Sequence, residues 1–296
     1  MADPLDIVVI GAPRSASTSI SGYLAQHPDV VLSDPKEPHF FDVHYEEGLA
    51  AVPDLYFPHR TSERLAAEAT PDYLTLPWVP GRIAGDIPNA KLVATLRNPV
   101  DRAWSHWWLL YTRGIEDLEF EAAIDANLER LEAGIPLEEG RWQQHVERRT
   151  RGLGFEYRLF LDHGYYARNL ERYFEVFDRD SIKIIFTHEL GADTDGTVRD
   201  LYRFIGVDDT IEFDTSRANE AAGAGSRRLM KSARGMGLTR LGPMLPDGVK
   251  QRLKTRMANL GGRPTMDDDV RTRLQAHFDG PNRELEALLG VELPAW

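Results

Sequence analysis

The sequence predicts an α/β fold, a three-layer sandwich in which a central parallel sheet is flanked by helices. Three observations predict it. Short strand-like runs recur at Asp6–Ile10, Val30–Leu32, Leu65–Ala69, Lys91–Leu96 and Ser181–Phe186. Apolar residues at helical spacing fill the intervals, at Ser17–Gln26, Val100–Thr112, Phe120–Ala133, Ala167–Phe177 and Thr197–Ile205. The first run stops abruptly at Gly11 and passes through a loop of small and hydroxylated residues into a helix. Ligands in such sheets sit at the carboxyl ends of the strands.

The first element justifies itself through that loop, GAPRSASTS (Gly11–Ser19). A strand, a tight turn and a helix N-terminus direct backbone N–H groups and the positive helix end at one spot, which suits a phosphate and makes the fold P-loop-like. The nucleotide-triphosphate pattern G-x-x-x-x-G-K-[ST] is not met: Ala16 and Ser17 replace its second glycine and its lysine, and only Thr18 agrees. The basic residue has moved to Arg14, whose guanidinium can set a fork of donors on an oxyanion. Ser17, Thr18 and Ser19 add hydroxyl donors where helix N–H groups lack partners.

The fourth run supplies a second anchor. In KLVATLRNPVDRAWSHWW, Asn98-Pro99 ends the strand and starts a helix. Arg97 then stands at the strand end and Ser105 about two turns into the helix, a pair suited to a second phosphate away from the first loop. The same Arg97 also reads as a structural salt-bridge partner.

Two stretches decorate a single domain spanning 1–296: a helical insertion at about 113–151 and another at about 208–262. The net charge of −12 argues against nucleic-acid binding. An anionic substrate would need local basic clusters; Arg141–Arg158 is one candidate, and a solvated helix face is the equal alternative. No apolar run approaches the ~20 residues of a membrane span. With no cysteine and a first strand that begins within a few residues of the start, the expected location is the cytoplasm.

With both anchors in view, the chain resembles the sulfotransferases that use 3′-phosphoadenosine 5′-phosphosulfate (PAPS), nearest to the branch that includes the heparan sulfate enzymes. Besides the two anchors, KEPHFFD (Lys36–Asp42), EATPDYL (Glu68–Leu74), the segment from Gly164 to Leu190 and the block beginning GGRPTMDDDV at Gly261 are similar to family blocks, in the family's order. The resemblance implies that Arg14, Ser15, Ala16, Ser17, Thr18 and Ser19 hold the 5′-phosphosulfate. It implies that Arg97 and Ser105 hold the 3′-phosphate, with Tyr166, Gly262 and Arg263 also at the nucleotide. Glu37 becomes the general base, with His39 and Asp42 close enough to orient it or contact the acceptor, and Arg14 stabilises the leaving phosphate. No metal is required. The partners implied are PAPS or 3′,5′-adenosine bisphosphate and an acceptor carrying a hydroxyl or amine: a carbohydrate, glycolipid or secondary metabolite.

The chain departs from that branch where Ala69 and Gly261 stand in place of lysines. Two other readings remain open: a nucleotide kinase, which the missing lysine disfavours, and a non-catalytic protein that binds adenosine bisphosphate. Trp104 and Trp107 read as core; Trp78 and Trp142, in loop-like or inserted segments, are candidates to face an acceptor ring.

Overall fold

A computed structural model describes residues 4–152, 154, 156–215, 265–294 and 296. Five parallel strands form one sheet in the order β2-β3-β1-β4-β5. They are β1 (Ile7–Gly11), β2 (Val30–Leu32), β3 (Leu65–Ala69), β4 (Lys91–Leu96) and β5 (Ile182–Phe186). All five expected strands are present, within about one residue of their expected bounds. β1 lies at the centre because all five of its residues are buried, as a strand covered on both faces requires.

The pleat of β1 divides the core. Val8 and Ile10 face one apolar cluster, which includes Leu92, Tyr73, Leu170 and Tyr173. Ile7 and Val9 face the other, with Ile20, Leu24, Leu201 and Tyr202. The second face is covered by α1 (Ser17–Leu24) and α9 (Thr194–Ile205). The first is covered by α3 (Val79–Asp86), α7 (Tyr166–Phe174) and part of α10 (Asp268–Leu289). Short helices α2 (Val52–Tyr56) and α8 (Thr187–Ala192) complete the connections. The helices α2, α3 and α8 have five to eight residues, too few for a periodic signal to emerge from sequence.

The segment between β4 and β5 contains α4 (Pro99–Thr112), α5 (Phe120–Glu132) and α6 (Glu139–Thr150). Helix α4 starts as the sequence demands: the Asn98 side chain accepts from Val100 and Asp101 N–H at 2.9 and 3.2 Å, and Pro99 occupies the first turn. Trp104 and Trp107 stack with centroids 4.8 Å apart and meet Phe120 of α5 in a third apolar cluster, so they are core residues. Helix α6 reaches back to the sheet, where Trp142 is fully buried (0% exposed). That corrects the expectation that Trp142 faces an acceptor. Of the second expected insertion, residues 216–262 lie outside the described residues.

β1 ends against a 3₁₀ turn, Pro71–Thr75, that follows β3. A Cβ on Gly11 would lie 2.5 Å from Leu74 Cβ and 2.8 Å from the Pro71 carbonyl oxygen. Glycine is therefore required here by close backbone approach. Gly11→Ala should destabilise the chain by about 1–3 kcal/mol in equilibrium denaturation, whereas Gly22→Ala, whose Cβ meets nothing within 4 Å, should leave stability unchanged or raise it slightly.

Candidate active site

The loop after β1 has an alternating backbone. Arg14 and Ala16 both occupy the left-handed region, at φ 69° and 70°. Such alternation curls successive N–H groups toward a common centre, and non-glycine residues stay there only when their surroundings hold them. Thr95 holds the root of the loop: Ala12 N–H donates to its carbonyl at 2.8 Å, and its hydroxyl donates to the Gly11 carbonyl at 2.9 Å. Helix α1 begins at Ser17 with no side chain capping its first N–H groups. Those donors remain available to a ligand.

The two expected anchors meet directly. Arg14 Nε donates to Ser105 Oγ at 3.2 Å, and Arg97 Nη1 donates to the Arg14 carbonyl at 3.4 Å. Burial first, then the charges of Arg97 and Arg113, hold the Arg14 guanidinium below its usual value, while Glu37 pulls the other way. Three arginines thus crowd one place, and among the described residues none of them has an ion-pair partner. Nothing local in the sequence distinguishes Arg113, the residue that follows the end of α4.

Other expected residues fall less evenly. Thr18 is exposed and Ser19 partly so. Ser15 is fully buried and its N–H donates to the Ala12 carbonyl at 3.2 Å, so neither group faces the open loop. Ser17 is 5% exposed. Tyr166 is buried behind Arg97, with its hydroxyl donating to the Arg97 carbonyl at 2.8 Å; it buttresses that arginine from inside. Gly262 and Arg263 lie outside the described residues.

The Lys36–Asp42 loop follows β2 and reaches the same strand ends. Glu37 is exposed and its Oε1 pairs with Lys36 Nζ at 3.1 Å. Its charge acts on both Arg14 and Arg149, raising each. His39 adopts φ 55°. Its Nδ1 bonds Asp42 Oδ2 at 2.8 Å, and among the described residues Nε2 has no hydrogen-bond partner. Asp42 Oδ2 also accepts Trp142 Nε1–H at 2.7 Å, so helix α6 braces the carboxylate that braces the histidine. Burial disfavours the imidazolium, but Asp42 outweighs it, and His39 is raised above its usual value.

Beside this lies a buried charged network that sequence did not reveal. Arg149 Nη2 donates to Asp72 Oδ2 at 2.7 Å, and His163 Nε2 stands 3.5 Å from Asp72 Oδ1. The Thr75 hydroxyl and His163 Nδ1 are 2.6 Å apart. Burial alone would raise Asp72, yet Arg149, His163 and His39 hold it well below the carboxylate range. Burial pushes His163 down to about 3. The arginines of the candidate basic segment are paired: Arg141 with Glu138, Arg148 with Glu156, Arg149 with Asp72, Arg151 with Glu147 and Arg158 with Glu116. The segment is a compensated surface, not an open basic patch.

A loop with open helix N–H groups on a parallel sheet, joined to a second arginine at a neighbouring strand end, is an arrangement suited to an anionic ligand. Comparison with known proteins gives the family. Residues 4–226 match the sulfotransferase domain model, and the chain belongs to that family. It is similar to heparan sulfate glucosamine 3-O-sulfotransferase 6 of Mus musculus, at 26% identity over 83% of this chain and 67% of that one. It is also similar to heparan sulfate glucosamine 3-O-sulfotransferase 3B1 of Mus musculus, at 26% identity over 68% of this chain and 45% of that one. A crystal structure of a sulfotransferase from Alicyclobacillus acidocaldarius superposes with a TM-score of 0.69 at 26% identity, covering 99% of this chain and 98% of that one. The match to the two curated relatives thus spans from about two thirds to less than half of their length. No helix among the described residues is long and apolar enough to cross a membrane.

Asp42→Asn should lower the His39 pKa, read from its ring signals in an NMR titration. The raised imidazole contributes stability that is complete below the unfolded value of about 6.5 and is lost as pH rises through the folded one. The destabilisation by Asp42→Asn should accordingly be larger in acid than at alkaline pH.

Proposed function

We propose that the chain transfers a sulfuryl group from PAPS to a hydroxyl or amine of a carbohydrate-like acceptor. The observation that carries this reading is the junction of Arg14, Ser105 and Arg97 at the uncapped start of α1, opposite Glu37. Family membership and the curated relatives, whose names specify sulfation of heparan sulfate glucosamine, support both the donor and the acceptor class.

The loop N–H groups, with Thr18 and Ser19, receive the 5′-phosphosulfate; Arg97 and Ser105 receive the 3′-phosphate. An acceptor oxygen or nitrogen attacks sulfur in line as the bond from sulfur to the bridging oxygen breaks. The electron pair leaves with 3′,5′-adenosine bisphosphate. Glu37 takes the acceptor proton, and its solvent access allows an acceptor to reach it. His39, steadied by Asp42, holds the acceptor side. Arg14 stays protonated and meets the charge that develops on the leaving phosphate. Its bond to Ser105 must loosen when the donor binds, because both groups are then engaged by phosphate oxygens. This role needs no metal. The absence of cysteine fits a reducing, cytoplasmic setting.

A nucleotide kinase would require Mg²⁺-dependent preference for ATP, against Ala16 and Ser17 in the loop. A non-catalytic binder would retain bisphosphate affinity and show no turnover.

Calorimetric titration without Mg²⁺ should show tight binding of 3′,5′-adenosine bisphosphate, much weaker binding of 5′-AMP, and loss of the bisphosphate preference in Arg97→Ala. A Mg²⁺-dependent preference for ATP would overturn the reading. With heparan sulfate as acceptor, Glu37→Gln should lower kcat by about 10²-fold or more while bisphosphate affinity is unchanged.

A further inference from the structure

Glu68 is a buried acid that the transfer chemistry above leaves without a part. It lies on β3 with 1% of its surface exposed. Its Oε2 accepts the Thr70 hydroxyl at 2.8 Å, and the Tyr73 hydroxyl also interacts with the carboxyl. The same two hydroxyls receive the loop that carries Glu37 and His39. His39 N–H donates to Thr70 Oγ1 at 3.4 Å, and Phe41 N–H donates to Tyr73 OH at 3.0 Å. A hydroxyl has one proton to give; directed at Glu68, it turns its lone pairs toward the incoming N–H. The carboxyl therefore sets the polarity of both contacts. His39 depends on them, since its left-handed φ of 55° persists only while its neighbours over-determine it.

We propose that Glu68 is a positioning residue for the acceptor side of the site: through the Thr70 and Tyr73 hydroxyls, its buried carboxyl fixes the backbone of the Lys36–Asp42 loop and thereby the placement of Glu37 and His39. This inference rests on the reading of those two residues as the acceptor-side groups.

The protonation state of Glu68 matters to that role. The groups that face it are Asp42 and His39 from the loop, Tyr56 from α2, Thr70 and Tyr73 from the turn after β3, and Tyr173 from α7. Of these only His39 carries positive charge when protonated. Burial, reinforced by the Asp42 charge, pushes Glu68 up to about 8 against the hydrogen bonds from Thr70 and Tyr73. At neutral pH it is an uncharged acid. Glu68 Oε1 and Asp42 Oδ1 are both buried without a hydrogen-bond partner. A proton on Glu68 gives this cluster a donor where two buried acceptors otherwise lack one. Ionisation instead puts a second negative charge beside Asp42, which loosens the loop and draws His39 toward its protonated form.

The experiment pairs Glu68→Gln, which accepts from Thr70 and cannot ionise, with Glu68→Ala, which can do neither. In the wild type, the His39 ring signals should show a second inflection near the Glu68 transition, and Glu68→Gln should remove it. Wild-type stability should fall as pH rises from the unfolded carboxyl value of about 4.5 toward 8, because the folded state holds the proton longer. Glu68→Gln should flatten that decline. In turnover of PAPS with heparan sulfate, Glu68→Ala should lower kcat by about 10–100-fold, with calorimetric affinity for 3′,5′-adenosine bisphosphate unchanged and Glu68→Gln restoring most of the loss. An identical His39 titration in the wild type and Glu68→Gln overturns the inference. So does a Glu68→Ala variant that folds and turns over like the wild type. Failure of the wild type to bind the bisphosphate would overturn the donor reading instead and leave the His39 result to decide the role of Glu68.

Discussion

The turn after β3 is the piece on which every part of the site leans. Pro71 and Leu74 sit so close to Gly11 that the phosphate loop can leave β1 only along one path. Thr70 and Tyr73 receive the backbone of the Glu37–His39 loop. Asp72 and Thr75 tie the same turn to Arg149 of α6 and to His163. The Tyr73 carbonyl takes the Tyr173 hydroxyl from α7 at 2.9 Å. Donor loop, acceptor loop and helical insertion are thus referenced to one short segment, and a shift in that segment would misalign all three together. Such common support is what in-line transfer needs, because small errors between donor and acceptor are costly.

Charge is distributed around this turn in two contrasting ways. The Asp72–Arg149–His163 network is closed: its acid is held ionised by a buried guanidinium, and its histidine is kept neutral by burial. Breaking one member would strand a buried charge, so the network fixes structure. Arg14, Arg97 and Arg113 form the opposite case. Arg97 and Arg113 both repel Arg14, and among the described residues no carboxylate forms an ion pair with any of the three. Positive charge left uncompensated beside open helix N–H groups is an arrangement that an incoming polyanion relieves.

How much of this was legible in the sequence follows from the range of each signal. The strands are legible because a parallel strand buried on both faces is a local apolar run. The places of Gly11, Arg14 and Arg97 at strand ends and in a turn are legible because turn chemistry and strand ends are also local. Asp42 was found only as a neighbour of Glu37; that Trp142, 100 residues away, donates to it could not be read from periodicity. The same separation hid the pairing of Asp72 with Arg149 and turned an apparent basic patch into a compensated face. Glu68 looked like any strand acid, and only the depth of its burial gives it an unusual proton. The burial of Ser15 and Tyr166 is hidden from the sequence for a related reason. A motif specifies which residues lie near a ligand, but only packing decides which of them face it.

If the strained loop Gly11–Ser19 and the Arg97–Ser105 pair form one donor site, a single ligand protects both. Hydrogen exchange of the backbone amides, measured with and without 3′,5′-adenosine bisphosphate in the absence of Mg²⁺, reads this out. Strong protection should be confined to the amides from Arg14 to the first turn of α1 and to the start of α4. Protection elsewhere with that loop unchanged, or protection of the loop by Mg²⁺-ATP and not by the bisphosphate, would contradict a single donor site.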